Sequence, residues 1–238
     1  MDSFLVLPED IRSNRLTLRG DESKHLARVL RKEIGERVFC TDGNDTMYEA
    51  EVASIGSDFV ECVIVETHTR FNELPVDITL AVSLLKNPAR FDWLVEKATE
   101  LGVRTIIPMI CERTIAKKEK HDRLEKIAVA ATKQCGRSYV PPIRAAIAFR
   151  EILERAGEFE LKLIAHERTN SNSTIQRAMA MVQKTKSIFV MIGPEGGFTD
   201  EEHALALASQ FAEVSLGPRR LRAETAAITA LSRIAERN

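Results

Sequence analysis

Two glycine–proline segments in the last quarter of the chain have residue types that commonly bind ligands. The first runs from Gly193 to Gly197 (GPEGG), before Thr199, which stands three residues ahead of Glu202 in capping-box spacing. A glycine-rich turn after a strand lets a ligand approach the backbone closely, although a tight turn alone also favours glycine. The segment has neither the GxGxxG nor the GxxxxGK pattern, which disfavours a dinucleotide or P-loop nucleotide site.

The second segment runs from Gly217 to Arg222 (GPRRLR) and is followed by Glu224 and Thr225. Its three arginines carry rigid forks of hydrogen-bond donors, which suit planar or phosphate-bearing ligands. Taken alone, the segment also fits an ordinary charged start of a helix. Because both segments follow predicted strands of one sheet, together they favour a shared ligand site.

Strands and helices alternate strictly after residue 72, and this alternation positions both segments. The patterns predict strands over 76–85, 103–110, 161–165, 188–192 and 212–216, and helices over 88–101, 120–135, 149–156, 173–185, 200–208 and 224–236. Asn87 and Pro88 have the residue types of an N-cap and a first helical position. This order predicts an α/β domain with a parallel sheet.

The first 72 residues have a different pattern, dominated by short strands with polar turns between them. Strands are predicted over 15–19, 37–41, 46–55 and 58–66, with a helix over 22–32 that Asp21 caps and Gly35 ends. Such a set is typical of a small β-barrel-like domain. We therefore expect two domains, residues 1–72 and residues 73–238.

The distribution of charge changes at the same boundary. The chain as a whole has a net charge of −1, which by itself argues against a nucleic-acid partner. However, residues 1–72 carry −5 and residues 73–238 carry +4. Two stretches, 12–37 and 104–144, are locally basic. A polyanionic partner is therefore compatible with the sequence, as is a solvated charged surface.

Composition excludes several other classes of protein. With 44% hydrophobic and 29% charged residues, the chain is neither disordered nor collagen-like. The four cysteines form no CxxC pair and the five histidines show no ligand spacing, so we expect no metal. The sequence has no signal-peptide pattern and no apolar run of roughly 18 residues, so we expect no membrane partner and a cytoplasmic location.

The two glycine–proline segments resemble those of the ribosomal small-subunit methyltransferase E family. This family belongs to the SPOUT class of S-adenosylmethionine-dependent RNA methyltransferases, and GPEGG-F-T-x-x-E and LG-x-R-x-LR-AET-A carry the resemblance. Further matches are Lys24-His25-Leu26, Lys86 with Phe91-Asp92, the segment 96–102 and the segment 134–138. The resemblance spans essentially the whole chain. One departure is Lys24, at a position where the family often has a first histidine before His25.

The resemblance implies a particular fold and activity. The fold is an α/β SPOUT-type parallel sheet with a C-terminal trefoil knot, preceded by a PUA-like RNA-binding β-barrel. The activity is S-adenosylmethionine-dependent methylation of N3 of a uridine in the decoding region of 16S rRNA, on the assembled 30S subunit and by a homodimer. One alternative is a SPOUT methyltransferase acting on another RNA position, such as a ribose hydroxyl. Another is a non-catalytic RNA-binding factor in ribosome assembly.

The same resemblance implies the residues of the site. The cofactor would lie against three loops, containing Ala165, His166, Glu167, Ile192, Gly193, Pro194, Gly196, Gly197, Leu216, Gly217, Leu221 and Thr225. Transfer to N3 requires loss of an imide proton, so a base or a group that stabilises the anion is needed. We expect Arg222 to stabilise the uracil anion, with Arg137 as the alternative. Glu195 or Glu224 would accept the proton or orient the loops.

Contacts with RNA would come from the basic stretches. The expected residues are Arg15, Lys24, His25, Arg28 and Arg31 in the first domain, and Lys86, Arg90, Arg137 and Ser138 in the second. Such residues mainly contact phosphates and position the RNA without reading its sequence. Specificity would come from RNA shape and from a target base that is splayed out of its stack.

Overall fold

The computed structural model describes residues 3–116, 118–182 and 185–236, which form two compact units. The first unit combines Met1–Glu73 with Val129–Val140, and the second combines Leu74–Ala128 with Pro141–Asn238. The division next to residue 73 lies close to the predicted boundary, but the segment Val129–Val140 belongs with the first unit. Its backbone hydrogen bonds explain this, because the Val140 N–H donates to the Gly43 carbonyl at 3.0 Å. A division of the sequence at one residue cannot describe a first unit that includes this later segment of the chain.

The first unit contains one six-stranded sheet. Its strands are β1 (Ser3–Leu5), β2 (Ile11–Arg12), β3 (Arg15–Arg19), β4 (Arg37–Thr41), β5 (Thr46–Ile55) and β6 (Phe59–Thr69), in the order β1-β4-β5-β6-β3-β2. Only the β1–β4 pair is parallel in this sheet, among the described residues. The alternating residues of β3 and β4 bury Leu16, Leu18, Val38 and Cys40 in one core. The prediction missed β1 and β2, which are too short to show a period.

The helix after β3 differs from its prediction. Helix α1 (Gly20–Lys24) passes directly into a π-helical turn over His25–Val29, and Arg31 has a φ of 53°, which ends the segment before Gly35. Asp21 lies in the first turn, so its assignment as the N-cap was wrong. The wide turn keeps Leu26 fully buried in the core of this unit. Single π-helical turns often occur at functional sites.

The second unit contains a parallel sheet, as predicted, but it has six strands where the sequence predicted five, because the two-residue strand Ile147–Ala148 is too short to show a pattern. Its strands are β7 (Asp77–Ser83), β8 (Thr105–Ile110), β9 (Ile147–Ala148), β10 (Leu161–Ala165), β11 (Ser187–Ile192) and β12 (Ala212–Val214), in the order β12-β10-β11-β7-β8-β9. Every pair in this order is parallel. All the carboxyl ends of the strands therefore lie at one edge of the sheet, where α/β folds bind ligands.

Helices connect these parallel strands. They are α2 (Pro88–Glu100), α3 (His121–Cys135), α4 (Phe149–Arg155), α5 (Ile175–Met181), α6 (Asp200–Ala208) and α7 (Ala223–Ala235). The predicted caps are confirmed: the Asn87 side chain accepts from the Ala89 N–H, and Thr199 and Glu202 form a reciprocal capping box. The predicted helix 173–185 begins at Ile175, and its residues Gln183 and Lys184 lie outside the described residues.

Both faces of the parallel sheet are covered. Phe189 and Met191 of β11 pack in a cluster with residues of α4 and α6, whereas the alternate residues Ile188, Val190 and Ile192 are also buried. On the other side, α7 contacts β7, β11 and α2. A sheet that is buried on both faces has near-continuous apolar strands, as this sequence does. In the described part of the chain, every helix is too short or too polar to cross a membrane.

Candidate active site

A cavity of about 590 Å³ lies at the carboxyl ends of β10, β11 and β12. Its volume falls in the range of small-ligand sites, roughly 300–1,000 Å³. The lining residues come from the segments after these three strands and from one residue after β8. They are Arg113, Ala165, His166, Glu167, Arg168, Ile192, Gly193, Pro194, Glu195, Gly197, Phe198, Leu216, Gly217, Pro218, Arg219, Arg220, Leu221, Arg222, Ala223 and Ala226.

The structure brings together the residues that the sequence assigned to cofactor binding. All of those side chains or backbone segments line the cavity except Gly196 and Thr225. Gly196 lies in the same loop, and its carbonyl accepts a hydrogen bond from Arg113. Thr225 lies in the first turn of α7 and is exposed. The three predicted loops therefore meet at one place.

The glycines of the GPEGG loop have structural reasons for their positions. Gly197 has a φ of 70°, and its N–H closes a turn by donating to the Pro194 carbonyl at 2.8 Å. A Cβ at Gly193 would lie 3.0 Å from the ring of Phe198, which is itself buried. The loop thus exposes backbone without side chains to the cavity, and the buried ring of Phe198 packs against it.

An arginine that the sequence analysis did not select holds this loop. The Arg113 guanidinium donates to the Gly196 carbonyl at 2.9 Å and to the Phe198 carbonyl at 3.3 Å. Arg113 follows β8, whose carboxyl end lies at the same edge of the sheet as the predicted loops. Because Arg113 comes directly after a predicted parallel strand, its position at the ligand-binding edge of the sheet could have been predicted.

Glu195 also holds the loops together. Its carboxylate accepts a hydrogen bond from the Lys86 N–H at 3.0 Å, and its carbonyl accepts one from Arg220 at 3.3 Å. Glu195 thereby joins the segment after β7 to the segments after β11 and β12. These two contacts hold Glu195 between the loops, which favours an orienting role for it.

Glu202 fastens the base of the same loop. This buried carboxylate accepts from the N–H groups of Thr199 and Glu112, both at 2.9 Å, so it joins the start of α6 to the segment after β8. The neighbouring Cys111 thiol has a raised pKa, chiefly because it is buried and secondarily because Glu202 is near. Cys111 therefore stays protonated and acts as a small apolar residue here.

We predict that Glu202→Ala destabilises the second unit by about 2 kcal/mol, because two backbone N–H groups lose their acceptor, one of them in the capping box of α6. Urea unfolding followed by fluorescence of Trp93, the single tryptophan, measures this loss. The matched control is Glu201→Ala. The Glu201 carboxylate is 70% exposed in a surface ion pair with Arg150, so we expect a change within about 0.5 kcal/mol. Equal losses in the two variants would contradict the proposed role of Glu202.

The cavity is rich in positive charge. Five arginines line it, at positions 113, 168, 219, 220 and 222, against the carboxylates of Glu167 and Glu195. Arg220 lies 3.5 Å from Glu167, and Arg168 lies 3.3 Å from Asp200. Within the described residues, the guanidinium groups of Arg219 and Arg222 have no hydrogen-bond or ion-pair partner, and both residues are exposed. Their guanidinium groups are free to meet a negatively charged or planar ligand.

His166 lies at the edge of the cavity with its ring stacked on that of His203. The ring centroids are 4.1 Å apart and the planes differ by 17°. The pKa of His166 is lowered, first by burial and then by the positive charges of His203 and Arg168. We therefore expect the imidazole of His166 to be neutral near pH 7.

Two residues that the sequence assigned to the site lie elsewhere. Arg137 is in the first unit, where its buried guanidinium pairs with the buried carboxylate of Glu73 at 2.6 Å. Ser138 is also buried there, and its carbonyl accepts from the Thr41 hydroxyl at 2.9 Å. Because burial removes both side chains from solvent, neither is available to RNA, and Arg137 is not among the residues that line the cavity. We withdraw these two assignments.

The remaining residues expected to contact RNA are accessible. Lys24, His25, Arg28 and Arg31 are all exposed around the π-helical turn. Arg15 is exposed too, in an ion pair with Glu61. In the second unit Lys86 is exposed, whereas Arg90 lies 3.6 Å from the buried carboxylate of Glu224. The positive charge of Arg90 therefore neutralises the negative charge of Glu224, which makes Arg90 less available to an external ligand.

Comparison with known families agrees with this architecture. Residues 72–235 match the family model described as RNA methyltransferase domain, and residues 18–65 match the model described as RNA methyltransferase PUA domain. The parallel sheet with its cavity is thus an RNA methyltransferase domain, and a PUA-like domain precedes it.

Curated relatives and solved structures make the family specific. The chain is 31% identical to ribosomal RNA small subunit methyltransferase E of Bacillus subtilis, over 92% of this chain and 88% of that protein. It is 34% identical to the protein of the same name from Synechocystis, over 97% and 76% of the two chains. The chain belongs to the ribosomal RNA small subunit methyltransferase E family.

Two solved structures contain a bound cofactor. The family member from Neisseria gonorrhoeae, bound to S-adenosyl methionine, is 32% identical with a TM-score of 0.85, over 99% of this chain and 97% of that one. A methyltransferase from Legionella pneumophila in complex with the same cofactor is 32% identical with a TM-score of 0.82, over 99% and 96%.

Proposed function

We propose that this protein uses S-adenosylmethionine to methylate N3 of a uridine in the decoding region of 16S rRNA, on the assembled 30S subunit. The observation that carries the proposal is the cavity formed by the segments after β10, β11 and β12. Family membership and the cofactor bound to two relatives support it. We further propose that the second unit has the SPOUT class of fold, with its trefoil knot formed by the loops that border this cavity.

The cavity suits the cofactor in size and chemistry. Its glycine-containing loops expose backbone N–H and C=O groups, which can hold an adenine ring and an amino-acid group. The missing Cβ of Gly193 keeps this wall open above Phe198. When bound, S-adenosylmethionine supplies a methyl group on a positively charged sulfur. The loops Ala165–Glu167, Ile192–Gly197 and Leu216–Thr225 would hold it.

In the proposed reaction N3 loses its proton to solvent water and forms a bond to the methyl group, while the bond between that group and sulfur breaks and leaves S-adenosylhomocysteine with a neutral sulfur. Removal of the proton leaves negative charge spread over the uracil ring and its oxygens, which a fixed cation can stabilise. Arg222 is suited to this role because it borders the cavity, immediately precedes α7, and has a guanidinium without a hydrogen-bond or ion-pair partner within the described residues. Glu195 would orient the loops through its bond with the Lys86 N–H.

Two exposed groups of basic residues would bind the RNA. One surrounds the π-helical turn of the first unit, and the other comprises Lys86, Arg219 and the rim of the cavity. Charges of this kind neutralise phosphates and position the substrate. The target uridine must leave its stack to reach a cavity, as bases do in other enzymes that modify them.

The proposal is tested by a methyl-transfer assay with the purified protein and labelled S-adenosylmethionine. We expect label in assembled 30S subunits, little in naked 16S rRNA, and N3-methyluridine by mass spectrometry of digested RNA. A methylated ribose would instead indicate the alternative position. If no label is incorporated and calorimetry detects no binding of the cofactor, the enzyme hypothesis is wrong and a non-catalytic RNA-binding factor is favoured.

Two further expectations accompany this function. We propose that the protein forms a homodimer, which light scattering after gel filtration measures directly. A monomer at the concentrations of the activity assay would contradict it. A cytoplasmic location follows from the proposed substrate and stays a prediction.

A further inference from the structure

Three side chains that bind transition metals in other proteins converge beside the cavity. They are His166, His203 and Glu213, and their ligand atoms all lie within 4.8 Å of one another. His166 follows β10, His203 belongs to α6 and Glu213 belongs to β12. Strand β12 pairs with β10, so Glu213 stands beside Ile164, two residues before His166. The three side chains are therefore placed by separate regular elements of one unit.

One atom of this cluster lacks the partner that its burial requires. His203 Nε2 is buried and lies 3.2 Å from Glu213 Oε2, yet within the described residues it makes no hydrogen bond. A buried polar atom without a hydrogen bond is uncommon and calls for an explanation, such as an ion. The ring of His166 covers the other side of the His203 ring, in the stack at 4.1 Å.

We propose that His166, His203 and Glu213 bind a divalent transition-metal ion of the Zn²⁺ class. Two imidazole nitrogens and one carboxylate oxygen are a common donor set for Zn²⁺, with a fourth position left for water. Metal–ligand distances near 2.0–2.1 Å and the 3.2 Å separation of Nε2 and Oε2 give an angle of about 100°, close to tetrahedral. Rotation of the His166 side chain brings in the third donor.

A neighbouring residue supports the carboxylate of this site. The hydroxyl of Thr169, which is largely buried, donates to Glu213 Oε2 at 3.3 Å, and the Thr169 N–H donates to the His166 carbonyl at 3.3 Å. Ligands of protein-bound metals are commonly oriented by such outer hydrogen bonds. Thr169 thus connects two of the three proposed ligands.

The metal would have a structural role at the wall of the cavity. His166, Glu167 and Arg168 line the cavity, and an ion that joins His166 to α6 and β12 would fix this segment. The cluster escaped the sequence analysis because its members are far apart in the chain and show no ligand spacing. The proposal is independent of methyl transfer, because its measurement is metal binding alone.

The test is a titration of the full chain, freed of metal by a chelator, with Co²⁺. Co²⁺ bound tetrahedrally absorbs visible light, and Zn²⁺ is expected to displace it and abolish the absorption. We expect one saturable site per chain in the wild type. His203→Gln and, separately, Glu213→Gln should each weaken binding by at least about 100-fold, and Thr169→Val by about tenfold. No saturable absorption in the wild type, or absorption in both ligand variants that equals that of the wild type, would overturn the proposal.

Two control variants separate this site from other histidines. In the pair of His121 and Glu125, Nε2 and Oε1 are also 3.2 Å apart, so His121→Gln removes a similar pair that belongs to no three-residue cluster among the described residues. His68 lies in a more exposed cluster with Glu49 and Glu66. Both His121→Gln and His68→Gln should leave the cobalt absorption unchanged. Loss of the signal in His68→Gln alone would place the ion in the first unit and contradict the assignment.

Discussion

An Arg222→Ala variant is expected to lose methyl transfer by a factor of about 100 to 1,000 while still binding S-adenosylmethionine. This is the usual cost of removing one fixed donor that stabilises a developing negative charge. The expectation rests on the position of Arg222 at the rim of the cavity and on its free guanidinium among the described residues. Single-turnover rates on 30S subunits and calorimetric titration of the cofactor measure the two quantities separately.

The shape of the guanidinium is tested by Arg222→Lys. A lysine keeps the charge but lacks the planar fork, so we expect activity between that of Arg222→Ala and the wild type. The control is Arg150→Ala, in which an exposed arginine is removed from a surface ion pair outside the cavity. It should retain full activity. Unchanged turnover in Arg222→Ala, or an equal loss in Arg150→Ala, would remove Arg222 from the mechanism.

The parallel sheet and its loops could be predicted because local patterns determine them. Apolar runs of strand length alternate with amphipathic helices, and parallel strands place all their carboxyl ends at one edge. The strand positions alone favoured a shared site for the loops after β11 and β12, whereas the third loop, after β10, was expected only from the family resemblance. The caps at Asn87 and Thr199 were equally accessible, because capping is decided within four residues.

The rest of the site depends on contacts between distant parts of the chain. The positions of Arg113 and Arg168 after parallel strands could be predicted, but no local pattern shows that their side chains line the cavity. The stack of His166 on His203 arises only when α6 packs beside β10. Which distant side chains contact each other depends on how the chain folds, and it cannot be inferred from the local pattern of a single sequence.

The π-helical turn shows a different limit. The spacing of Leu26, Val29 and Leu30 predicts an ordinary helix, yet only Leu26 is fully buried and Val29 is 65% exposed. Because Leu26 is held in the core formed by β3 and β4, the backbone widens around it and the segment ends at Arg31. Tertiary packing overrode a helical period that was correct only in its first turns.

Arg137 was misassigned because an arginine in a basic stretch resembles a surface residue. Its stretch, 104–144, is locally positive, and a solvated or RNA-binding face is the usual reading of such a charge. In the structure the guanidinium and its partner Glu73 are only 2% and 1% exposed. The Glu73 carboxylate also accepts from the Tyr139 N–H at 3.1 Å, so it fastens the returning segment Val129–Val140 to the first unit.

Glu73→Gln is therefore expected to destabilise the first unit by about 3–5 kcal/mol. Removal of one partner of a buried ion pair leaves the other charge uncompensated in a poorly solvated place. Urea unfolding by circular dichroism measures the loss, and fluorescence of Trp93 in α2 reports the second unit separately. The control is Glu61→Gln. Its pair with Arg15 has the same 2.6 Å separation but is largely exposed, so we expect a loss of at most about 1 kcal/mol.

A double-mutant cycle measures the interaction energy between Glu73 and Arg137 apart from the other effects of each substitution. Arg137→Met removes the buried positive charge, so Glu73→Gln should cost much less in that background than in the wild type. If the two losses simply add, the ion pair does not hold the segment and the misassignment of Arg137 needs another cause. Strong coupling would show that an arginine in a basic stretch is buried for its fold, and that its charge serves Glu73 instead of RNA.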